Sequence, residues 1–396
     1  MIFRAKRILT PAGWLEDGEI EVQGGRIKTV RSEPDLETGT LRATQEPVPD
    51  PVLNLSIVPG FIDLHVHGGA GSDFMDASPE AVVAITEAHA AGGTTAMLAT
   101  TASHSRADIL GALQNIKKCR DERVGSCEIL GAHVEGPYFA ASKKGCHLVS
   151  EVRPPDRREW SEFLDTGVVK HMTLAPEIKG AEDLVRALVS AGATASAGHS
   201  EATADEVRRA MDWGLRHVTH LYCAMSGTVK KGPERIAGLL EAALLEEDLT
   251  AELISDGMHV NPDLARLAYK NKGTIKMALV TDAMRGLGMP DGVYPFGGKE
   301  GTPARVGNGA AQTLDGSGFA SGVKTMLDCV KVAVEIHGQP LEEALRRASE
   351  TPARIAGVWD RKGSIEAGKD ADLVLLGPGL EIKAVIAKGK VVWGKI

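Results

Sequence analysis

Apolar and amphipathic stretches alternate along the chain from residue 57 to residue 281. Short runs of β-branched and other apolar residues predict buried strands, and apolar positions recurring every three or four residues predict helices. The pattern predicts eight strands, at 57–69, 94–100, 128–135, 168–174, 193–199, 216–221, 252–255 and 275–281. It predicts helices at 78–92, 105–122, 156–163, 181–191, 203–213, 234–246 and 262–271. Eight alternating strand and helix units predict an α/β fold, a closed (β/α)8 barrel of the TIM type.

Both ends of the chain show strand patterns instead. Near the N-terminus strands are predicted at 2–5, 19–22 and 26–30, with a hairpin turn at Gly24-Gly25. After two helices near 323–336 and 341–348, further strands are predicted at 371–376, 383–387 and 391–393. We expect the two ends to pair into one small β-sandwich domain, 1–56 plus 356–396, beside a barrel at 57–355. The polar stretch 31–51 predicts a surface loop.

Composition narrows the classes of protein. The chain has 396 residues, of which 43% are hydrophobic and 25% charged, as is typical of a globular protein. The net charge of −8 argues against a general nucleic-acid-binding protein, which would normally be basic. The five cysteines are odd in number and form no C-x-x-C, which predicts a reducing, cytoplasmic environment. The N-terminus does not resemble a signal peptide, and no apolar run is long enough to predict a membrane span.

Histidines and acidic residues recur at the carboxyl ends of the predicted strands. In a barrel of this kind these ends meet at one rim, where the active site lies. A random scatter of twelve histidines would not place so many of them there. The candidates are His65 and His67 after the first strand, Glu135 after the third, His199 after the fifth, His220 after the sixth, Asp256 and His259 after the seventh, and Asp282 after the eighth.

These residue types predict a metal-dependent hydrolase. Glu135, His199 and His220 supply one carboxylate and two imidazoles, and three such ligands with an open fourth position are typical of hydrolytic zinc sites. A divalent metal lowers the pKa of its bound water towards about 7, and Asp282 is a candidate to take and return the proton. The H-x-H at 65–67 offers a second metal position, bridged through Glu135 or Asp282. Taken alone, an H-x-H pair more often marks two solvated histidines.

Several motifs carry a resemblance to a known family. They are P-G-F-I-D-L-H-V-H-G (59–68), H-V-E-G-P-Y-F (133–139), K-K-G-C-H (143–147), A-G-H-S (197–200), T-H-L-Y-C-A-M (219–225), D-G-M-H (256–259), T-D-A-M (281–284) and G-S-I-E-A-G-K-D-A-D-L-V (363–374). Along nearly its whole length the chain resembles the amidohydrolase superfamily and, within it, the N-acetylglucosamine-6-phosphate deacetylases. The specific signal is H-x-E-G-P together with K-K-G-x-H.

The resemblance implies a reaction and a cofactor. It implies removal of the acetyl group from N-acetylglucosamine 6-phosphate, giving glucosamine 6-phosphate and acetate. It implies one or two divalent metal ions per chain, zinc in the first place with iron as an alternative. Family members are usually homodimers in which the partner supplies a basic residue to the phosphate.

The resemblance also implies roles for individual residues. By position, the metal ligands are Glu135, His199 and His220, the catalytic aspartate is Asp282, the histidine that polarises the acetyl carbonyl is His147, the substrate-contacting histidine is His259, and the backbone groups that touch sugar or phosphate are those of Ala224 and Met225.

Two departures from the family pattern concern the phosphate. Cys223 stands where the family usually has an asparagine, so a weak donor replaces an amide. The segment S-G-T-V-K-K-G-P-E-R replaces the family's Arg-Glu-Pro-Gly, which leaves Lys230, Lys231 or Arg235 to bind phosphate or to form a solvated basic surface. A galactosamine epimer or an unphosphorylated sugar therefore remains as an alternative substrate.

Other functions are alternatives to this one. A cyclic-amide hydrolase of the same superfamily usually has a carboxylated lysine on the fourth strand, and Lys170 lies on that strand but near its start. A deaminase of the superfamily is a further alternative. A catalytically inactive scaffold would show lost ligands, and the sequence shows none.

Overall fold

The computed structural model describes residues 1–32 and 55–395. Its strands are β1 (Ile2–Thr10), β2 (Gly13–Gln23), β3 (Arg26–Ser32), β4 (Ser56–Pro59), β5 (Phe61–Val66), β6 (Gly68–Gly69), β7 (Ser72–Asp73), β8 (Thr94–Thr101), β9 (Glu128–Glu135), β10 (Val169–Leu174), β11 (Thr194–Ala197), β12 (His217–Val218), β13 (Val229–Lys231), β14 (Glu234–Ile236), β15 (Thr250–Ile254), β16 (Met277–Val280), β17 (Gly292–Phe296), β18 (Thr302–Gly307), β19 (Ala310–Thr313), β20 (Phe319–Gly322), β21 (Leu373–Gly377), β22 (Glu381–Ala387) and β23 (Lys390–Gly394). The stretch 31–51, predicted as a surface loop, falls almost entirely outside the described residues.

The helices alternate with the barrel strands and follow β20. They are α1 (Pro79–Ala90), α2 (Arg106–Glu122), α3 (Arg157–Asp165), α4 (Ala181–Ser190), α5 (Ala204–Trp213), α6 (Leu239–Leu245), α7 (Pro262–Lys272), α8 (Met326–Glu335), α9 (Leu341–Arg347) and α10 (Glu350–Ile355). Helix α1 begins where the sequence predicts, because Ser78 Oγ accepts a hydrogen bond from the Ala81 N–H at 3.2 Å and Pro79 occupies the first turn. None of the helices in the described part of the chain has both the length and the apolar character needed to cross a membrane.

Eight parallel strands form the barrel. Their order around the wall is β5-β8-β9-β10-β11-β12-β15-β16, and each hydrogen-bonds to its neighbour in the list. The two edge strands meet at the carboxyl rim, where the Asp282 N–H donates to the His65 carbonyl at 3.0 Å and the His67 N–H to the Ala283 carbonyl at 2.9 Å. The predicted TIM-type barrel is therefore confirmed, with its last seam nearly closed.

The barrel interior is packed rather than hollow. Apolar side chains from β5, β8, β9, β15 and β16 form one buried cluster, which the small helix α10 joins through Ala353. A second, larger cluster lies between the strands and the surrounding helices. Because the interior between the described strands is filled, a ligand can be accommodated at the rim rather than inside the barrel.

The two chain ends pair as predicted. Their strands form one continuous seven-stranded sheet in the order β23-β22-β21-β4-β1-β2-β3. Apolar residues from both ends, including Phe3, Ile20, Leu373 and Ile386, share one buried core. The exact domain limits, 1–56 plus 356–396 and 57–355, stay a prediction.

The stretch 57–69, predicted as one strand, is divided at Gly60. Strand β4 pairs with β1 and β21 in the terminal sheet, whereas β5 begins the barrel. The Gly60 N–H donates to the Asp372 carbonyl at 2.8 Å, and a Cβ on Gly60 would lie 2.3 Å from Thr95 Oγ1. The close approach of the two sheets therefore requires glycine at this position.

Two segments near the rim differ from the predicted elements. The helix predicted at 234–246 is wrong in its first part, because Glu234–Ile236 pairs with Val229–Lys231 as a hairpin and α6 begins only at Leu239. A four-stranded antiparallel sheet, β17 to β20, was not predicted at all. Its apolar residues pack with Met284 and Cys146 beside the rim.

A buried lysine joins the terminal sheet to the foot of the barrel. Lys362 Nζ lies 2.8 Å from Glu128 Oε2 of β9 and 3.4 Å from Asp370 Oδ2, and it also contacts Asp372. Only 1% of its side chain is exposed. Burial disfavours its charge, but the carboxylates of Asp372 and Glu128 outweigh burial and raise the pKa of Lys362.

We expect Lys362→Ala to lower the free energy of unfolding by about 3–5 kcal/mol, because it leaves the buried Asp372 carboxylate without its cation. Thermal unfolding followed by circular dichroism measures the effect. Lys388→Ala is the matched control, since Lys388 Nζ also contacts Glu128, at 2.9 Å, but is 40% exposed and should contribute at most about 1 kcal/mol. Equal losses in the two variants would contradict the role given to burial.

Candidate metal centre

The Glu135 carboxylate lies at the centre of the rim, surrounded by imidazoles. Its Oε1 atom is 3.3 Å from His199 Nε2, 3.1 Å from His220 Nε2 and 3.3 Å from His65 Nε2. Its Oε2 atom is 3.1 Å from His67 Nε2 and 3.2 Å from His147 Nε2. Both oxygens of one buried carboxylate are therefore shared among five histidines.

The residues proposed as ligands come from separate strands and converge. His199 Nε2 and His220 Nε2 lie 3.0 Å apart, and Glu135 contacts both. His65 Nε2 and His67 Nε2 lie 3.2 Å apart, because alternate residues of one strand end point to the same side. Asp282 Oδ1 completes this side of the cluster, at 3.3 Å from His65 Nε2 and 3.4 Å from His67 Nε2.

Three of these residues have a backbone conformation that is unusual for non-glycine residues. His199, His220 and Asp282 each lie two residues beyond the end of their strand and have φ values of 50°, 27° and 47°. Such left-handed conformations cost of the order of 1–3 kcal/mol each and concentrate at functional sites. Here they redirect the chain just beyond the strand ends, at the mouth of the barrel.

Hydrogen bonds behind the rings distinguish the histidines. His199 Nδ1 lies 2.7 Å from the Lys143 carbonyl, so this nitrogen carries the proton and Nε2 presents a lone pair. His147 has the opposite protonation pattern, because its Nδ1 accepts a hydrogen bond from the Ser103 N–H at 3.0 Å. A neutral His147 therefore carries its proton on Nε2, which makes it a donor towards Glu135 and the cavity rather than a metal ligand.

The pKa shifts support this assignment. Burial lowers the pKa of His199 to about 4 and also lowers that of His147, so both rings are neutral at pH 7. Burial disfavours the Glu135 carboxylate, but His65 and the other surrounding imidazoles hold its pKa well below the usual range. Burial would lower the pKa of His67, but hydrogen bonds to Asp282 and Glu135 raise it to about 9. A cation beside these carboxylates would supply that positive charge and leave the imidazoles neutral.

A cavity of about 310 Å³ opens above this cluster. Among the predicted site residues it is lined by His67, Glu135, His147, His199, His220, Cys223, Ala224, His259 and Asp282. His65 lies beneath its floor. Met225 is buried beside Ala224, and Lys230, Lys231 and Arg235 lie on the exposed β13–β14 hairpin, none of them among the described residues that form the wall.

His259 is held in place by its neighbour. Its Nδ1 lies 2.7 Å from Asp256 Oδ2, and Asp256 Oδ1 accepts the backbone N–H groups of Met258 and His259. Burial would raise the pKa of Asp256, but the hydrogen bonds from His259 outweigh burial and lower it. Asp256 therefore orients His259, and the ring faces the cavity.

The structure adds cavity residues that the sequence did not suggest. Lys143 brings a positive charge to the wall, and Phe296 and Phe319 bring apolar surface from β17 and β20. The alternation in G-V-Y-P-F and T-P-A-R-V-G was a usable strand signal for this sheet. Glu252, buried within β15 among apolar residues, was a second usable signal, since a charged residue in a buried strand is rare without a partner.

The donor set fits a divalent metal ion. His199 Nε2 carries a lone pair and no proton, because the proton is on Nδ1. It therefore cannot donate a hydrogen bond to His220 Nε2 or to the Glu135 carboxylate, although it lies close to both. Imidazole and carboxylate groups at one buried point are the ligands of zinc and related metals. His65, His67 and Glu135 form a second such group beside the first. The site can therefore hold one ion or a bridged pair.

The barrel and this rim define a metal-dependent hydrolase of the TIM-barrel type, and the family comparison agrees. Residues 56–392 match the amidohydrolase family model. The chain belongs to the amidohydrolase family.

Within this family, the chain is similar to deacetylases of amino-sugar phosphates. The chain is 35% identical over 395 residues to an N-acetylglucosamine-6-phosphate deacetylase of Vibrio furnissii, covering 99% of this chain and 94% of that protein. It is 32% identical to an N-acetylgalactosamine-6-phosphate deacetylase of Escherichia coli O157:H7, covering 98% of each. A solved mutant of the Mycobacterium smegmatis N-acetyl-D-glucosamine-6-phosphate deacetylase, in complex with N-acetyl-D-glucosamine-6-phosphate, superposes with a TM-score of 0.89 at 31% identity and covers 99% of both chains.

We expect Glu135→Gln to lower the affinity for zinc by about tenfold or more, because the anion that the imidazoles share is lost. Metal content per chain after dialysis against a chelator measures this. His104→Gln is the control, since His104 lies near the rim but pairs with Asp108 instead. Full metal occupancy in Glu135→Gln would show that Glu135 is not a ligand.

Proposed function

We propose that this protein removes the acetyl group from N-acetylglucosamine 6-phosphate, releasing acetate and glucosamine 6-phosphate in the cytoplasm. The observation that carries the proposal is the Glu135 cluster at the floor of a sugar-sized cavity, in a chain whose full length aligns with proteins named for this reaction. The cavity of about 310 Å³ is at the lower end of the range for small-molecule sites.

Zinc is the proposed metal, with iron as the alternative, and Glu135, His199 and His220 are the proposed ligands. His65 and His67 would hold a second ion. When bound, the metal makes water a stronger acid and polarises the acetyl carbonyl. The roles of this chain's own residues follow from their protonation states and positions.

Asp282 is the proposed proton carrier. Burial disfavours its carboxylate, but His65 and His67 outweigh burial and lower its pKa, so it can accept a proton at neutral pH. Hydrolysis of the amide takes one proton from the attacking water and delivers one to the leaving amine. Asp282 lies at the cavity floor and can do both in turn, first as general base and then as general acid.

His147 is the proposed donor to the acetyl carbonyl. Its Nε2–H faces the cavity because the Ser103 N–H occupies its other nitrogen. Such a donor stabilises the negative charge that develops on the carbonyl oxygen during attack. His259, fixed by Asp256, is proposed to bind a sugar hydroxyl. The backbone groups of Cys223 and Ala224, which line the cavity, and of Met225 beside them are proposed to touch the sugar or phosphate.

We propose a homodimer for the phosphate site. Lys231 and Arg235 stand on an exposed hairpin, outside the cavity wall of their own chain. A hairpin of this kind could place a cation at the cavity of a second copy. Among the described residues that line the cavity, Lys143 is the cationic one.

Two alternatives differ in substrate. A galactosamine epimer is supported by the similarity to the Escherichia coli protein named for it. A cyclic-amide hydrolase is disfavoured, because Lys170 is exposed at the start of β10, away from the rim, and Glu135 already joins the two groups of histidines.

The zinc-loaded protein should release acetate fastest from N-acetylglucosamine 6-phosphate. N-acetylgalactosamine 6-phosphate and free N-acetylglucosamine complete the acetate panel, and kcat/KM is compared across it. Dihydroorotate, which has no acetyl group, is followed separately by its ring opening. A preference for the galactosamine phosphate would select the epimer alternative. Equal kcat/KM on free N-acetylglucosamine would show that the protein has no phosphate site. Failure to release acetate from any of the sugars would refute the proposal.

We expect Asp282→Asn to lower kcat by about 10²- to 10⁴-fold, because an amide cannot take the water's proton. Steady-state acetate release gives kcat, and metal content is measured on the same samples. Asp291→Asn, on the exposed segment after the eighth strand, should keep wild-type kcat. Wild-type turnover in Asp282→Asn at full metal content would exclude the proton-carrier role.

A further inference from the structure

Glu252 is a buried carboxylate behind the metal centre that the proposed reaction does not use. It lies on β15 with none of its side chain exposed, and it is not among the described residues that line the cavity. A buried charge of this kind is strongly destabilising unless other groups pair with it. Its partners are therefore informative.

Both oxygens of Glu252 accept hydrogen bonds from histidines. Its Oε2 atom lies 3.1 Å from His65 Nδ1, and its Oε1 atom lies 3.1 Å from His217 Nε2. The His220 N–H also donates to Oε2, at 3.4 Å. Burial would raise the pKa of Glu252, but the hydrogen bonds from His217 and His65 hold it well below the usual range.

A carboxylate can only accept, so His65 Nδ1 must carry a proton. The lone pair of a neutral His65 is then on Nε2, the atom that faces His67, Glu135 and Asp282. A carboxylate behind a metal-ligating histidine fixes its tautomer and orientation and increases its basicity.

His65 differs from the other proposed ligand histidines in having a carboxylate behind its Nδ1 atom. His199 Nδ1 has only a backbone carbonyl behind it, and the Nδ1 atoms of His67 and His220 have no hydrogen-bond partner in the described part of the chain. Glu252 itself is held from behind, because His217 Nδ1 lies 2.7 Å from Thr250 Oγ1. The series Thr250, His217, Glu252, His65 thus reaches the second metal position through a ligand ring, whereas Glu252 contacts His220, of the first position, through a backbone N–H.

We propose that Glu252, held by His217, is a positioning residue that sets the tautomer of His65 and thereby strengthens the binding of a second divalent ion at His65 and His67. The inference rests on the metal site of the proposed function but concerns only one of its two positions. It predicts that losing Glu252 weakens one ion and leaves the other in place.

Chelator competition on the zinc-loaded protein tests this selectively. The wild-type protein should retain two ions per chain, and His65→Ala should identify the ion that depends on His65. Glu252→Gln should release that same ion at about 10- to 100-fold lower chelator activity, with the other ion unchanged. Asp63→Asn is the matched control, because Asp63 is buried on β5, the strand that carries His65. Among the described residues, its carboxylate accepts hydrogen bonds from the His65 backbone N–H and from Thr281, but none from a histidine ring.

Several outcomes would overturn the proposal. They are a single ion in the wild-type protein, equal loss of both ions in Glu252→Gln, no loss in that variant, or the same selective loss in Asp63→Asn. If Glu252→Gln does not fold, spectra of zinc-loaded wild-type protein labelled with ¹⁵N-histidine decide. The His65 resonance, identified by its absence in His65→Ala, should report a proton on Nδ1, and a proton on Nε2 would refute the role.

Failure here is separable from failure of the proposed function. If wild-type protein releases acetate from N-acetylglucosamine 6-phosphate but Glu252→Gln keeps both ions, only the positioning role is wrong. If the variant loses one ion selectively while the wild-type protein releases no acetate from any sugar, the positioning role stands and the proposed substrate is wrong.

Discussion

The arrangement of side chains at the rim of the barrel depends on one buried carboxylate, that of Glu135. Removing a carboxylate from water is costly, and the cost is met only where cationic or hydrogen-bonding partners surround it. Five histidine nitrogens do so here, from four different parts of the chain. The same geometry that stabilises the carboxylate gathers the lone pairs that a divalent ion requires, so folding and metal binding depend on one another at this point.

The barrel supplies the rigidity that this arrangement needs. Parallel strands carry each side chain to the rim, and the packed interior beneath leaves them no alternative position. His199, His220 and Asp282 have strained backbones that only a well-packed frame can maintain. The frame is itself tied to the terminal sheet, through the hydrogen bond at Gly60 and the ion cluster around Lys362.

Protonation divides the imidazoles into two kinds. His199 and His65 have acceptors behind Nδ1 and so present lone pairs, whereas His147 has a donor behind Nδ1 and so presents a proton. Residue types alone do not separate these functions. The separation arises from backbone groups and from Glu252, which lie outside the cavity yet decide what each ring can do inside it.

The pattern of the sequence was enough to predict the barrel, the pairing of the chain ends and the histidines and acidic residues at the strand ends, but not the place of Lys231 and Arg235, which lie outside the cavity wall. It could do so because strand periodicity and the common direction of parallel strands place every strand end on one face. It did not determine the break at Gly60, the β13–β14 hairpin or the β17–β20 sheet, which depend on contacts between distant segments. Nor did it determine which ring nitrogen carries a proton, because Ser103, Lys143 and Glu252 reach those rings only in the folded chain. Local pattern fixes which face a residue occupies, but hydrogen-bond partners distant in sequence are assigned only by tertiary structure.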